Sequence, residues 1–115
     1  PGRDEAIELL RQSITSQQVP TIQAALATLA GRPDMNDAMR RVMAPTLLVV
    51  GAEDVITPPM CMTAAETVIP NARLLEVPLA GHLVPLERPE IFNAALLEFL
   101  KELPAETLAA DRAEP

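Results

Sequence analysis

Apolar positions follow two different periods along the chain, and the change falls near residue 45. Up to about residue 43 the pattern is helical throughout. Ala6, Leu9, Leu10 and Ile14 recur at the three- and four-residue spacing of one helix face. Pro20 suits the first turn of a second helix, where a missing N–H leaves no bond unmade. Ile22, Ala25, Leu26 and Leu29 form its stripe, and Gly31 suits its C-terminal stop. Asp34 is a candidate cap for a short third helix ending near Met43, with Met35, Met39 and Val42 on one face.

From residue 45 the pattern changes. Thr46-Leu47-Leu48-Val49-Val50 is a continuous, partly β-branched apolar run between Pro45 and Gly51, which predicts a strand buried on both faces. Thr57 followed by Pro58 and Pro59 predicts a helix start with Thr57 as cap, running to about Val68 and ended by Pro70. Arg73 to Pro78 predicts a second strand. Pro89 opens a last helix with a broad apolar face of Ile91, Phe92, Ala95, Leu96, Phe99, Leu100 and Leu103. The residues after Pro104 are acidic and alanine-rich and are expected to be frayed.

Strand, helix, strand, helix implies an α/β fold class with a parallel βαβα unit and a right-handed crossover. Two strands alone make a poor sheet, since three or more, or a covering layer, are normally needed. A first strand apolar on both faces expects a neighbour on each side, yet the chain supplies one. Part of the fold is therefore expected from outside this stretch or from another chain.

Charge and composition narrow the function. A net charge of −7 argues against nucleic acid, whose binding needs clustered Lys and Arg, and against an anionic membrane surface. No apolar run approaches the roughly 20 residues of a membrane span, no signal peptide is visible, and with a single thiol a cytoplasmic setting is the default. Cys61 is the only cysteine, which excludes an internal disulfide. One histidine and one cysteine cannot build a closed metal site, and no glycine-rich phosphate loop is present, so neither metal nor cofactor is expected.

Ligand sites in open α/β sheets lie beyond the carboxyl ends of the strands. Asp54 follows the first strand and His82 the second, and adjacent strands lie about 4.8 Å apart. A carboxylate and an imidazole can thus meet at one sheet edge, where the carboxylate would fix the ring's tautomer and free its other nitrogen to take a proton. Gly81, just before the histidine, permits a sharp turn. Taken singly, Asp54 also reads as a turn residue and His82 as a loop histidine.

These residues carry a resemblance. The stretch Pro45-Thr46-Leu47-Leu48-Val49-Val50-Gly51-Ala52-Glu53-Asp54, running on through Thr57-Pro58-Pro59, resembles the acid-bearing strand and loop of α/β-hydrolases. Ile69-Pro70-Asn71-Ala72-Arg73 resembles the family's turn into its last strand. Ala80-Gly81-His82-Leu83-Val84-Pro85-Leu86-Glu87-Arg88-Pro89-Glu90 resembles its histidine loop and closing helix, and Gly31-Arg32-Pro33-Asp34 resembles the linker from its helical cap. In texture the chain is similar to lactonase-like and esterase-like members, such as 3-oxoadipate enol-lactonases.

The resemblance implies the C-terminal part of an α/β-hydrolase fold. Residues 1–44 would be a cap-like helical segment, 45–103 the βαβα part of the core and 104–115 a flexible acidic tail. It also implies Asp54 as triad acid, His82 as base and a small carbonyl substrate, an ester or lactone.

The family's nucleophile sits on a Gly-x-Ser-x-Gly elbow. The only serines here, Ser13 and Ser16, lie in the first helical segment outside any such motif. The chain alone is therefore expected to be inactive.

Other candidates have plainer readings. Cys61, between Met60 and Met62 on a helix, is expected to be a buried structural thiol rather than a replacement nucleophile. Glu53 and Glu87 look like solvated or loop-bracing side chains. Met35, Met39 and Met43 are expected to pack in a core or cap. A second function class stands beside the enzyme: a non-catalytic module that uses its free strand edges to pair with another chain. Self-association, as a homo-oligomer or with the missing part, is expected in either case.

Overall fold

A computed structural model of the chain describes residues 3–104. The expected tail falls, from residue 105 on, outside the described residues. The element order is α1 (Arg3–Thr15), α2 (Val19–Ala30), α3 (Asn36–Met39), β1 (Thr46–Gly51), α4 (Pro59–Val68), β2 (Ala72–Val77), α5 (Val84–Glu87) and α6 (Pro89–Glu102). The chain divides into two compact units after Ala38. The division falls ahead of residue 44.

In the first unit, α1 and α2 follow the apolar spacing, with Pro20 in the first turn of α2 and Gly31 closing it through a hydrogen bond from its N–H to the Ala27 carbonyl. Ala6 is buried and Leu10 half-buried, whereas Leu9 and Ile14 are exposed, as is the whole expected stripe of α2. The third helix is much shorter than its spacing predicts and ends at Met39. Val42 and Met43 are exposed, so no packing extends a helix too short to stand on propensity. Asp34 does serve its start: its Oδ1 accepts the Asn36 N–H at 2.9 Å.

The second unit is built on β1 and β2, which pair in parallel with Thr46 opposite Ala72 and Gly51 opposite Val77. Pro45 and Gly51 bound β1 as expected. Most of the strand is half-buried, and only Val50 and Gly51 are buried, because β2 is its single partner among the described residues. The core lies at the C-terminal end of the strands, where Val77, Ala80 and Val84 are buried against Val49, Leu75 and Phe92. On α6 the expected face splits. Phe92, Ala95, Leu96, Phe99 and Leu103 are half-buried, while Ile91 and Leu100 at its margins are exposed.

Helix α4 packs on both strands. Its inward face carries Met62, Ala65 and Glu66, with buried Ile69 just past its end, and Glu66 Oε1 accepts the Leu74 N–H at 2.8 Å. Cys61 lies off that face and is exposed, which corrects the expectation of a buried thiol. Thr57 is not the helix cap either. Pro58 occupies that position, with no side-chain bond, and the Thr57 N–H is taken by Asp54. The short helix α5 was not legible in the sequence. No described helix is long and apolar enough to cross a membrane.

Candidate active site

The turn that leaves β1 and the turn that leaves β2 are bonded to each other through their backbones. The Ala52 N–H donates to the Val77 carbonyl and the Glu53 N–H to the Ala80 carbonyl, each at 2.9 Å. Gly51 lies so close under the second turn that a β-carbon there would collide with the carbonyl oxygens of Ala80 and Gly81. Only glycine allows this approach. Two buried residues, Ala80 and Val84, hold the histidine loop at both ends.

The left-handed residue of this loop is Leu79, at φ 54°, and no glycine among the described residues has a positive φ. Gly81 therefore does not act through that freedom. Its missing side chain leaves room for the carboxylate of Glu87, which a β-carbon would approach at 3.1 Å.

This frame brings Asp54 and His82 together, with Asp54 Oδ2 lying 2.9 Å from His82 Nδ1. The other carboxylate oxygen, Oδ1, accepts the N–H groups of Ile56 at 2.8 Å and Thr57 at 2.9 Å. Asp54 is the one buried charged residue described. Burial alone pushes its carboxyl up. The Thr57 N–H, the His82 ring and the Ile56 N–H outweigh that, and the net shift is below the ordinary value of 3.8. Asp54 is thus a carboxylate at neutral pH. It cannot donate, so the hydrogen on the shared bond sits on His82 Nδ1, and a neutral ring carries its free lone pair on Nε2. The His82 side chain is 46% exposed, whereas that of Asp54 is 5% exposed. The acid is sequestered and the imidazole is open to a reactant.

Glu87, read from the sequence only as a loop brace, has a definite place. Its Oε2 accepts the Gly81 N–H at 2.8 Å and its Oε1 the Leu83 N–H at 3.0 Å. The side chain of Glu53 makes no bond to this site. Large apolar side chains rim the two turns in the open: Val55, Ile56, Met60, Leu79 and Leu83 are all exposed. Ser13 lies on α1 and Ser16 just after it, and the Ser16 hydroxyl donates to the Ser13 carbonyl at 2.9 Å. Among the described residues no three His, Cys, Asp or Glu side chains gather to hold a metal. A cavity of about 210 Å³ opens at the other end of the strands, beside Thr46, Arg73 and Phe99, away from this pair.

No protein-family model matches the chain. Individual proteins do. A Mycobacterium tuberculosis protein named "Putative non-heme bromoperoxidase BpoC" is 43% identical over 68 residues, covering 59% of this chain and 26% of its own length. A Caulobacter protein named "Putative carbamate hydrolase RutD" is 34% identical over 67 residues, covering 58% of this chain and 25% of its own. The chain thus spans about a quarter of the curated relatives it matches. Among solved structures, a thermophilic esterase from Thermogutta terrifontis superposes with a TM-score of 0.82 at 39% identity, covering 88% of this chain and 37% of the esterase. These relatives and structural neighbours are α/β-hydrolases, and the chain's parallel strands and helices follow the plan of part of that fold.

Proposed function

We propose that this chain is the acid- and histidine-bearing C-terminal part of a serine-type carbonyl hydrolase. In that reading residues 1–44 form a piece of its cap and residues 45–103 a piece of its core. The observation that carries the reading is the 2.9 Å bond between a buried, ionised Asp54 and Nδ1 of an exposed His82.

In a polypeptide that includes a Gly-x-Ser-x-Gly elbow, His82 Nε2 takes the serine proton as the hydroxyl attacks the carbonyl carbon. The imidazolium then returns that proton to the leaving alkoxide. A water molecule, deprotonated by the same nitrogen, releases the acyl group. Asp54 holds the ring in the required tautomer and offsets its charge. The chain alone lacks the elbow motif, so it binds no acyl group by this route and is inactive.

The apolar rim of Val55, Ile56, Leu79 and Leu83 favours an ester or lactone with an apolar body. The esterase likeness agrees with that class. We place the protein in the cytoplasm, acting on a small molecule without a metal or cofactor.

A second reading is favoured by a different observation. Ile22, Leu26 and Leu29 on α2 are 42%, 60% and 59% exposed, and β1 pairs with β2 alone among the described residues. A chain with these surfaces associates with itself or with the rest of the hydrolase, and on its own it would be an interaction module rather than a catalyst.

The deciding experiment is turnover of a p-nitrophenyl ester. The complete protein is expected to hydrolyse it, and His82→Ala is expected to abolish turnover with the fold retained. Undiminished turnover in His82→Ala, or turnover by this chain alone, contradicts the catalytic reading.

A further inference from the structure

We propose that Glu87 is a positioning residue for His82, one that fixes the direction of the imidazole by clamping the backbone on both sides of it. The inference rests on the reading of Asp54 and His82 as a working pair.

The loop between the buried anchors Ala80 and Val84 consists of Gly81, His82 and Leu83. None of the three is buried, and Leu83 is 36% exposed. Packing therefore does not hold this stretch. The His82 ring has one described polar partner, Asp54, and is otherwise open. A single hydrogen bond fixes a distance but leaves the ring's approach free to swing, so its direction has to come from the backbone.

Glu87 supplies that constraint. Its planar carboxylate takes the Gly81 N–H on one oxygen and the Leu83 N–H on the other. Two bonds to one rigid group fix the amides before and after His82 relative to each other, and with them the backbone torsions of His82 itself. Both acceptors share a negative charge, which makes the bonds stronger than bonds to a neutral carbonyl.

The carboxylate is itself well placed. Glu87 ends the single turn of α5, and its own N–H donates to the Leu83 carbonyl at 2.9 Å. Side chain and backbone thus bond Leu83 reciprocally, as in a capping box displaced by one residue. The absence of a side chain on Gly81 keeps the space that the carboxylate fills. Without the Glu87 side chain, Ala80 and Val84 still anchor the loop and the Leu83 carbonyl keeps its backbone bonds, but the Gly81 and Leu83 N–H groups lose the acceptor that ties them together.

The test reads the ring nitrogens of His82 by NMR in the full chain, at a pH where the imidazole is neutral, for wild type, Glu87→Gln and Glu87→Ala. Wild type is expected to hold the proton on Nδ1. Glu87→Ala is expected to lower the Nδ1–H to Nε2–H ratio on the order of tenfold while the β1 and β2 amide signals persist. Glu87→Gln, which keeps one acceptor oxygen, should fall between the two. A merely structural brace would lower the melting temperature and leave the ratio unchanged, and that result overturns the inference. A wild type with no preference for Nδ1–H overturns the Asp54–His82 reading together with the inference, and so is told apart from failure of the Glu87 role alone.

Should both variants unfold, the wild type gives the answer. The Gly81 and Leu83 amide protons must shift together with the Glu87 carboxyl carbon as acid is added. Amides that ignore that carboxylate overturn the clamp.

Discussion

Gly51 runs directly beneath Ala80, with the Glu53 N–H bonded to the Ala80 carbonyl at 2.9 Å just beyond the crossing. This contact, rather than the two functional side chains themselves, sets how near the turns after β1 and β2 come. A methyl group at residue 51 meets backbone atoms that cannot rotate away, so the turns have to part. Gly51→Ala is expected to cost about 1–3 kcal/mol of stability, the usual range for overpacking, and to lengthen the Asp54–His82 separation. Chemical denaturation measures the first effect and a structure of the variant the second. A variant of unchanged stability with an unchanged pair would show that the crossing does not set the site.

Asp54 ties stability to pH. Its folded value lies below 3.8, so the folded state holds the carboxylate more firmly than the unfolded chain does. The stabilisation is complete above the ordinary carboxylate value and is lost as pH falls through the lower folded value. Asp54→Asn removes this linkage. Unfolding midpoints measured from neutral pH downward should show a shallower acid limb in the variant than in wild type. Identical limbs would mean that Asp54 contributes nothing to acid sensitivity. On the proposed catalytic reading, the same substitution in a polypeptide that includes the elbow presents an amide to Nδ1 and favours the wrong tautomer, with an expected loss of kcat on the order of 10⁴.

Glu66 guards the edge of β2 opposite β1. Its carboxylate accepts the Leu74 N–H at 2.8 Å, the kind of backbone donor that an unprotected edge strand offers to another chain. Glu66→Ala is expected to lower stability by about 1 kcal/mol, whereas Glu66→Gln, which keeps an acceptor, should cost less. Light scattering should also show more association in the alanine variant. Equal association in all three proteins would place the sticky edge elsewhere, with β1 the remaining candidate.

Much of this was readable from residues alone, and the reasons are local. Pro45 and Gly51 bracket a β-branched run with no helical alternative, so β1 was legible to within a residue. The meeting of Asp54 and His82 followed from parallel pairing, which brings the ends of both strands to one edge. What was missed depends on contacts that spacing does not encode. Thr57 looks like a helix cap, but Asp54 takes its N–H first. The turn of α5 is four residues long with Pro85 inside it, too short for any periodicity. Its signal was Glu87, whose acceptors close the turn from a distance. The third helix and Cys61 were misjudged for one shared reason: an apolar position predicts burial only where another surface arrives to cover it.

The most direct measurement of the central claim is the proton NMR signal of His82 Nδ1 in this chain at neutral pH. A hydrogen bond to a buried carboxylate is expected to give a resolved, strongly downfield resonance that exchanges slowly with water and disappears in Asp54→Asn. No such resonance in the wild type, or one that survives in Asp54→Asn, would contradict the pairing on which the hydrolase reading depends.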